Sequence, residues 1–256
     1  MADQIFALEA TNVTKLFGGV KAVDSVDLRV QVGERRALIG PNGAGKTTFF
    51  NLIAGELVCD GGQIKMFGTD ITKKSIQERA KLGLGRTYQI SQLFLQLTVE
   101  ENLYLAANAN KGKDFDMFHA WRKNPASLEK ARAVAKQVEI EPLLEKKVSE
   151  LSHGEQRQLE IGMAFALDPR LIMLDEPAAG LSPNERIVLT NLIKKLPAET
   201  TLIIIEHDMD IVLEIADMIT VLDHGAVLTE GTPDEIRNNE TVQNVYLGSE
   251  YVGTKK

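Results

Sequence analysis

The sequence predicts an α/β fold that carries an antiparallel β-layer at its N-terminus and an inserted helical segment. Three short, unbroken apolar runs, each followed by polar residues and a helical pattern, are typical of parallel strands covered on both faces. They are Ala37–Ile39, Leu171–Leu174 and Leu202–Ile205. A region of alternating apolar and polar residues precedes the first run, and a long region of helical spacing follows it.

The N-terminal β-layer is predicted from the alternating region. Between Val26 and Val32 every second residue is apolar, which is typical of a half-buried strand, and Gly33 closes it. The segment Phe6–Val13 supplies a second strand of the same layer. Near the other end of the sequence, ITVLDHGAVLTEG predicts a hairpin that turns at residues 223–225.

The helical segment lies between about residues 85 and 167, where helical spacing replaces strand-like runs, as in residues 100–110 and 127–136. We interpret it as a helical subdomain inserted into a single domain that spans residues 1–256. Phe115, Phe118 and Trp121 form an apolar stripe within it. Such a stripe is commonly the inner face of a short helix, and a surface for a membrane or a partner is the alternative.

The composition excludes several classes of protein. The 256 residues include 29 Lys+Arg and 36 Asp+Glu, and the net charge of −7 argues against a general nucleic-acid-binding protein. The single cysteine, Cys59, excludes an intramolecular disulfide framework. No apolar run approaches the roughly 20 residues of a membrane-spanning helix, and the N-terminus lacks the pattern of a signal peptide. We therefore expect a soluble, globular, cytosolic protein.

The strongest motif is GPNGAGKTT at residues 40–48, which matches G-x-x-x-x-G-K-[ST] between a predicted strand and a predicted helix that Gly55 stops. Its glycines let backbone N–H groups turn toward phosphate oxygens, and the helix N-terminus adds partial positive charge. Lys46 is expected to reach the β- and γ-phosphates, and Thr47 to ligate Mg²⁺. A simple glycine turn would not explain the Lys-Thr pair. The candidate nucleotide-binding residues here are Gly40, Pro41, Asn42, Gly43, Ala44, Gly45, Lys46, Thr47 and Thr48.

Two carboxylates follow the buried run Leu171–Leu174. Pro177 stops the strand and leaves Asp175 and Glu176 at the sheet edge where ligands of open α/β sheets bind. Asp175 suits a Mg²⁺ carboxylate, and Glu176 suits a general base that polarises an attacking water. The pair alone is equally explained as a solvated strand end, and the phosphate-binding motif upstream favours the functional interpretation.

A third motif, LSHGEQ, begins at residue 151. Ser152 and Glu155 form a capping box ahead of apolar residues at helical spacing, so the motif predicts a well-capped helix. A helix N-terminus with a glycine is also an anion site. The residues of this motif alone leave both interpretations open.

Taken together and in this order, the phosphate-binding motif, LSHGE and LIMLDEP resemble the ATP-binding subunit of an ABC transporter, over essentially the whole chain. The resemblance implies a RecA-like P-loop NTPase core, an antiparallel β-subdomain and an inserted α-helical subdomain. It also implies the hydrolysis of ATP to ADP and phosphate with Mg²⁺. Four residues resemble the signature sequence that meets the γ-phosphate bound by the opposite protomer: Ser152, His153, Gly154 and Glu155.

The resemblance implies further roles. Phe17 in KLFGG resembles the aromatic residue that stacks on adenine, with Ala22 nearby. Gln89 in GRTYQ resembles the glutamine that touches Mg²⁺ and water and signals to the membrane subunit. His207 resembles the switch histidine that contacts the γ-phosphate, and completes a catalytic set with Glu176, Gln89 and Lys46.

The chain also departs from the family pattern. The signature commonly reads LSGGQ, whereas His153 and Glu155 stand at its Gly and Gln positions. Backbone contacts should survive this change, but a side-chain contact from the Gln position cannot be transferred. Ser182 in DEPAAGLSP stands where many members carry Asp, so the role of that Asp at the dimer interface is not transferred either.

Four segments resemble the importers of branched-chain amino acids: DEPAAGLSP, EHDMDIV, GTPDEIRNN and VQNVYLGSEY. Related cassettes serve urea import and lipopolysaccharide export, and no residue here distinguishes the cargo. The resemblance implies as partners a second ATP-binding subunit, identical or not, and integral membrane permease subunits. It also implies, indirectly, a periplasmic or extracellular binding protein, no nucleic acid, and a location on the cytoplasmic face of the plasma membrane.

Two other classes of protein are the alternatives. The first is a soluble ABC protein of DNA repair, translation or iron–sulfur assembly. A long coiled coil or a second cassette would favour repair or translation, and neither is present in the sequence. The second is a small-molecule P-loop kinase, which would lack the signature helix. Ser152–Gln156 and Glu176 instead favour water as the acceptor of the phosphoryl group.

A further apolar segment, residues 90–97, is either a groove for a permease helix or part of the core.

Overall fold

The computed structural model describes residues 5–87, 93–109 and 124–247. Gln89 and the Phe115, Phe118 and Trp121 stripe lie outside the described residues. The chain divides into two compact units. The terminal unit comes from the chain before residue 80 and after residue 196, and the central unit is residues 80–196.

The strands are β1 (Phe6–Phe17), β2 (Val20–Gln31), β3 (Arg35–Ile39), β4 (Gly61–Met66), β5 (Thr69–Asp70), β6 (Leu84–Arg86), β7 (Leu171–Asp175), β8 (Thr201–Ile205), β9 (Met218–Asp223) and β10 (Ala226–Gly231). The helices are α1 (Lys46–Ala54), α2 (Ile76–Lys81), α3 (Val99–Asn108), α4 (Pro125–Gln137), α5 (His153–Ala166), α6 (Pro183–Lys194), α7 (Met209–Ile215), α8 (Pro233–Arg237) and α9 (Glu240–Val242). Short 3₁₀ turns cover Glu141–Leu143 and Val148–Glu150, and a π-turn covers Gln243–Leu247.

The antiparallel layer of the terminal unit has the strand order β2-β1-β4-β5. Buried residues alternate with exposed ones along β2, so the predicted half-buried strand is confirmed. The strands are longer than the alternation indicated, because β1 runs on to Phe17 before the chain turns at Gly18 and Gly19. Both glycines have positive φ, as a tight turn between long strands requires.

The parallel strands of the terminal unit lie in the order β9-β3-β8, and β10 pairs with β9 in the antiparallel sense. The apolar residues predicted for β3 and β8 are completely buried, which confirms both strands. The predicted hairpin is also confirmed, since Ala226 pairs with Asp223 across a two-residue turn. Its residues His224 and Gly225 have φ of 46° and 82°, the left-handed pair of a type I′ turn.

Helix α1 ends at a buried arginine. Arg79 is 1% exposed, and its Nη1 donates hydrogen bonds of 2.6 Å to the carbonyls of Leu52 and Ile53. These carbonyls belong to the last turn, where intrahelical partners run out and a cation is favourable. Gly55, with φ of 88°, makes room for the guanidinium, because a Cβ there would lie 2.8 Å from Arg79 Nε. The predicted stop at Gly55 is confirmed.

The central unit contains α3–α6 together with the parallel pair β6 and β7. Gly162 of α5 lies against Leu103 of α3 and Val138 beyond α4, where a Cβ would come within 3.1 Å of both side chains. Strand β6, only three residues long, was not predicted from the sequence. In the described part of the chain, no helix has the length and apolarity that crossing a bilayer requires.

The packing of Gly55 against Arg79 predicts a stability difference between two glycine variants. Gly68 has a similar φ of 77° but nothing within 4 Å, so Gly68→Ala should cost only the left-handed strain of about 1–2 kcal/mol. Gly55→Ala should cost more, because it also displaces a guanidinium whose hydrogen bonds are worth about 1.5–3 kcal/mol each. Urea unfolding of both full-length variants measures the difference. Equal losses would show that Arg79 moves aside freely.

Candidate functional site

The phosphate-binding motif forms a loop between β3 and α1 in the terminal unit. Its glycines at 40, 43 and 45 all have positive φ, between 81° and 148°. The hairpin turn braces the loop, because the Gly225 N–H donates to the carbonyl of Ala44 over 3.1 Å. The loop conformation is therefore fixed by backbone contacts within the terminal unit.

The three glycines serve different purposes. A Cβ on Gly40 would lie 2.1 Å from the carbonyl oxygen of Leu222, and one on Gly45 would lie 2.3 Å from that of Ala22. These two glycines are needed for close packing of the loop. Gly43 has nothing within 4 Å of the Cβ position, so its outer side is open to a ligand.

The N-terminus of α1 is open to an anion. Its N-cap is Gly45, no side chain caps it, and its first turn carries no acidic residue. The orphan N–H groups of such a turn, with the helix dipole behind them, favour phosphate oxygens. Lys46 is largely buried, and its Nζ donates to the carbonyls of Gly40 at 2.7 Å and Pro41 at 2.9 Å. Thr47 is exposed in the same turn.

His207 lies at the same sheet edge as this loop. Strands β3 and β8 are parallel and pair Leu38 with Ile205, so Gly40 and His207 each follow that pair by two residues. The His207 side chain is exposed, whereas the preceding Glu206 is 1% exposed. The Glu206 carboxylate accepts the His207 N–H at 3.1 Å, which fixes the backbone that carries the imidazole.

The predicted adenine-stacking residue, Phe17, lies at the end of β1, beside the turn. Its ring is 47% exposed, and the Lys15 Nζ lies 5.6 Å from the ring centroid. An exposed aromatic face at a hairpin end can stack on a flat heterocycle. Ala22, also in this unit, contacts the loop through the carbonyl that faces Gly45.

Asp175 and Glu176 lie at the carboxyl end of β7 in the central unit. Asp175 is 1% exposed, and its Oδ2 is 3.7 Å from Nη2 of Arg86 on the neighbouring strand β6. Glu176 has φ of 44°, a left-handed conformation that costs a non-glycine residue about 1–2 kcal/mol. Pro177 adds to the strain, because a residue that precedes proline is held toward extended backbone.

A cavity of about 200 Å³ opens beside Glu176. The residues that line it are His153, Gln156, Arg157, Glu160, Asp175, Glu176 and Ala179. The cavity thus joins the first two turns of α5 to the end of β7, within the central unit. It is large enough for a few waters, and its carboxylates can accept protons.

The predicted capping box at the start of α5 is present. The Ser152 side chain accepts the Glu155 N–H at 3.3 Å, and the Glu155 carboxylate accepts the Ser152 N–H at 2.7 Å. A second carboxylate, that of Glu185 on α6, also reaches this helix end, where it accepts the Gly154 N–H. A Cβ on Gly154 would lie 2.1 Å from Glu185 Oε1, so the glycine is required for this contact.

Ser182 caps α6 and holds Glu185 in place. Its hydroxyl and its N–H donate to Glu185 Oε2 at 2.7 and 2.8 Å. These hydrogen bonds, led by that of the hydroxyl and aided by the Gly154 N–H and the nearby His153, hold the pKa of Glu185 below its ordinary value. His153 is exposed and lies against Gly180, whose Cβ position is 3.3 Å from its Cε1.

Sequence reasoning missed two residues of this unit, Arg157 and Glu185. Arg157 donates to three consecutive carbonyls at the end of β7, those of Asp175, Glu176 and Pro177. Nothing in the helical spacing of α5 indicates that contact. Ser182 and Glu185 do carry a visible S-x-x-E signal for the cap of α6, but the contact with Gly154 is tertiary.

Comparison with protein families finds two matches. The model described as ABC transporter matches residues 23–179, and that described as branched-chain amino acid ATP-binding cassette transporter matches residues 226–252. The chain is 40% identical over 248 residues to the high-affinity branched-chain amino acid transport ATP-binding protein BraF of Pseudomonas aeruginosa, covering 94% of this chain and 97% of BraF. It is 38% identical over 250 residues to LivG of Escherichia coli K12, with the same coverage.

Solved structures similar to the chain are ATP-binding cassettes. A nucleotide-free cassette from an ABC transporter has a TM-score of 0.84 at 34% identity, covering 94% of this chain and 99% of that one. The ADP conformation of the cassette MJ1267 has a TM-score of 0.86 at 32% identity, covering 95% and 99%. The post-hydrolysis dimer of the cassette MJ0796, bound to ADP and Pi, has a TM-score of 0.74 at 25% identity, covering 88% and 98%. These similarities confirm the predicted fold class.

The lowered pKa of Glu185 predicts a pH-dependent contribution to stability. Because the folded-state pKa lies below the ordinary glutamate value of about 4.3, the contribution is present at pH 7 and lost as pH falls through the folded-state pKa. Glu185→Gln should therefore lower the melting temperature at pH 7, and the difference from the unmodified chain should vanish in acid. Thermal melts across this pH range measure it.

The matched comparison is Glu235→Gln. Glu235 accepts the same pair of hydrogen bonds from Thr232 and also has a lowered pKa. Its hydrogen-bond partner Thr232 is the N-cap of the same helix, so Glu235→Gln should lower the melting temperature less than Glu185→Gln does. Equal effects of the two variants would mean that the contact of Glu185 with Gly154 adds nothing.

Proposed function

Because this chain belongs to the ABC transporter family, we propose that it is the ATP-hydrolysing subunit that powers uptake of branched-chain amino acids through a membrane permease. ATP hydrolysis coupled to transport is the activity of the family. The cargo is proposed from the similarity to BraF and LivG and from the match over residues 226–252. Urea import and lipopolysaccharide export are the alternatives for cargo.

The open N-terminus of α1 is the observation that carries the ATP-binding site. It presents the N–H groups of a first helical turn that no side chain caps, the buried ammonium of Lys46 and the exposed hydroxyl of Thr47. We infer that Lys46 exchanges the carbonyls of Gly40 and Pro41 for the β- and γ-phosphates. The exchange keeps its charge hydrogen-bonded throughout.

We also propose that Mg²⁺ binds together with ATP. The Thr47 hydroxyl, the Asp175 carboxylate and the Gln89 amide offer the hard oxygen ligands that this ion prefers. When bound, the ion would neutralise charge that develops on the phosphates. Asp175 lies beside Arg86, with 3.7 Å between its Oδ2 and Nη2 of the guanidinium, and this ion pair favours one orientation of the carboxylate.

Glu176 is proposed as the general base. Its place at the end of a buried strand, beside a cavity with room for water, supports this role. His207, at the same edge as the phosphate loop, is proposed to contact the γ-phosphate. Phe17 is proposed to stack on adenine, with Ala22 nearby.

The proposed partners follow from the family. A second ATP-binding subunit would place Ser152, His153, Gly154 and Glu155 at the opposite γ-phosphate. The permease would bind the central unit, where Phe94 and Leu95 are both about half exposed.

We propose that the helices α3, α4 and α5 form the helical subdomain of one 256-residue domain. The complex would lie at the cytoplasmic face of the plasma membrane and act with a periplasmic or extracellular binding protein.

Two substitutions separate binding from chemistry. Glu176→Gln should keep ATP affinity and lower turnover by about 100-fold or more, because it removes only the base. Lys46→Ala should weaken ATP binding itself, because it deletes a direct charge partner of the phosphates. Equilibrium binding of labelled ATP and steady-state phosphate release measure the two effects. Near-normal turnover of Glu176→Gln would exclude Glu176 as the base.

ATP-dependent association tests the signature sequence. The Glu176→Gln chain should be a monomer alone, because two chains that each carry a charge of −7 repel each other, and a dimer with ATP. Added salt should weaken the dimer, because it screens the attraction between the ATP phosphates and the signature sequence. Ser152→Arg in that background puts a bulky side chain at the N-terminus of α5. It should restore the monomer without loss of ATP binding. Light scattering with and without ATP measures this, and a double variant that still dimerises would leave α5 as a capped structural helix only.

A further inference from the structure

Arg157 is a buried cation on the helix that begins at the signature sequence. Its residue exposure is 9%, and it lies one turn after Gly154. Nε donates to the Pro177 carbonyl at 2.8 Å, and Nη2 donates to those of Glu176 at 3.0 Å and Asp175 at 3.2 Å. One planar guanidinium therefore binds three consecutive peptide groups.

These three peptide groups surround the strained residue. Glu176 has φ of 44° and precedes Pro177, so both its side chain and the proline ring favour another backbone conformation. The Glu176 carbonyl accepts a turn hydrogen bond from the Ala179 N–H at 3.1 Å in addition to that from Arg157. Strain of this kind persists only where surrounding contacts hold the backbone in place.

The direction of the Glu176 carboxylate depends on that backbone. A change from left-handed to extended φ would swing the Cα–Cβ bond and carry the carboxylate away from its present position beside the cavity. A general base must lie within hydrogen-bond reach of the water that it polarises. A contact that fixes φ of Glu176 therefore also fixes the position of its carboxylate relative to the attacking water.

We propose that Arg157 is a positioning residue for Glu176, and that it couples the orientation of this carboxylate to the N-terminus of α5. The inference rests on the proposed role of Glu176 as general base. An anion that pulls on the N–H groups at the start of α5 moves the first turn of that helix. Arg157 is carried by the next turn, so the same movement reaches the carbonyls on either side of the Glu176 peptide.

Glu160 completes the arrangement from the same helix. Its Oε2 accepts from Arg157 Nη1 at 2.6 Å, and this ion pair leaves Nε and Nη2 directed at the carbonyls. Lysine could keep the charge beside Glu160, but its single nitrogen cannot reproduce the planar fork. Arg157→Lys therefore removes the grip on the peptides while it keeps the buried charge.

The test uses the full-length chain with three single variants. Arg157→Lys and Arg157→Gln should lower kcat for ATP hydrolysis about 10- to 100-fold, the scale of a small misplacement of a reacting group, with KM for ATP within about threefold. Arg186→Gln is the matched control. Its Nε also donates to a loop carbonyl, that of Leu181, at 3.1 Å. Glu176 lies at the β7 end of the segment that joins β7 to α6, whereas Leu181 lies at the α6 end. The kcat of the Arg186→Gln chain should stay near that of the unmodified chain.

A double-variant cycle shows whether Arg157 acts through Glu176. In the Glu176→Gln background, Arg157→Lys should lower the residual turnover no further, because the group that it positions is already inactive. A purely structural arginine would instead reduce turnover by a similar factor in both backgrounds. Loss of the folded state in both Arg157 variants, seen as a lost melting transition, would also overturn the positioning role.

The outcomes separate this inference from the proposed function. Near-normal turnover of Glu176→Gln alone would remove the general base, and the inference with it. Suppose that Glu176→Gln lowers turnover, but the Arg157 variants have normal turnover or the losses in the double variant add. Either result would overturn the positioning role of Arg157 and leave the proposed function intact.

Discussion

Backbone carbonyls at the ends of buried elements must find donors, and in both units of this chain a buried guanidinium supplies them. Arg79 binds the last carbonyls of α1, and Arg157 binds the carbonyls where β7 ends. A water could satisfy the same atoms, but it would not tie them to another element. Because a planar fork fixes several carbonyls at once, the segments that carry the phosphate loop and Glu176 each have one defined geometry.

The two helix N-termini near the candidate site residues differ in what already occupies them. At α1 the cap is a glycine and the first turn has no acidic residue, so a phosphate meets no competing charge. At α5 the capping box and the Glu185 carboxylate are already in place. A phosphate that approaches α5 therefore meets a resident anion. Binding at α1 builds a new contact, whereas binding at α5 must rearrange an existing one.

Much of the fold could be predicted because its signals are local. Unbroken apolar runs predicted β3, β7 and β8, alternation predicted β2, and glycine chemistry predicted the end of α1. The phosphate loop was visible for the same reason. The contacts of Arg157, Arg79 and Glu185 could not be predicted, because each joins residues that are distant in sequence or lie on different elements. Strand β6 was missed because three residues are too few to show a period.

The pairing of β3 has a consequence for the order of synthesis. The antiparallel layer is complete once residue 70 has been made, but β3 takes its parallel partners, β8 and β9, from beyond residue 200. The Gly33 N–H, for example, binds the Thr201 hydroxyl across 168 positions. At ribosomal rates of about 5–20 residues per second, the interval between the synthesis of β3 and that of its partner strands lasts roughly 10 to 30 seconds. The nascent chain therefore carries an unpaired apolar strand for most of its translation, and a chaperone that shields β3 during that interval would protect the nucleotide-binding segment before it can fold.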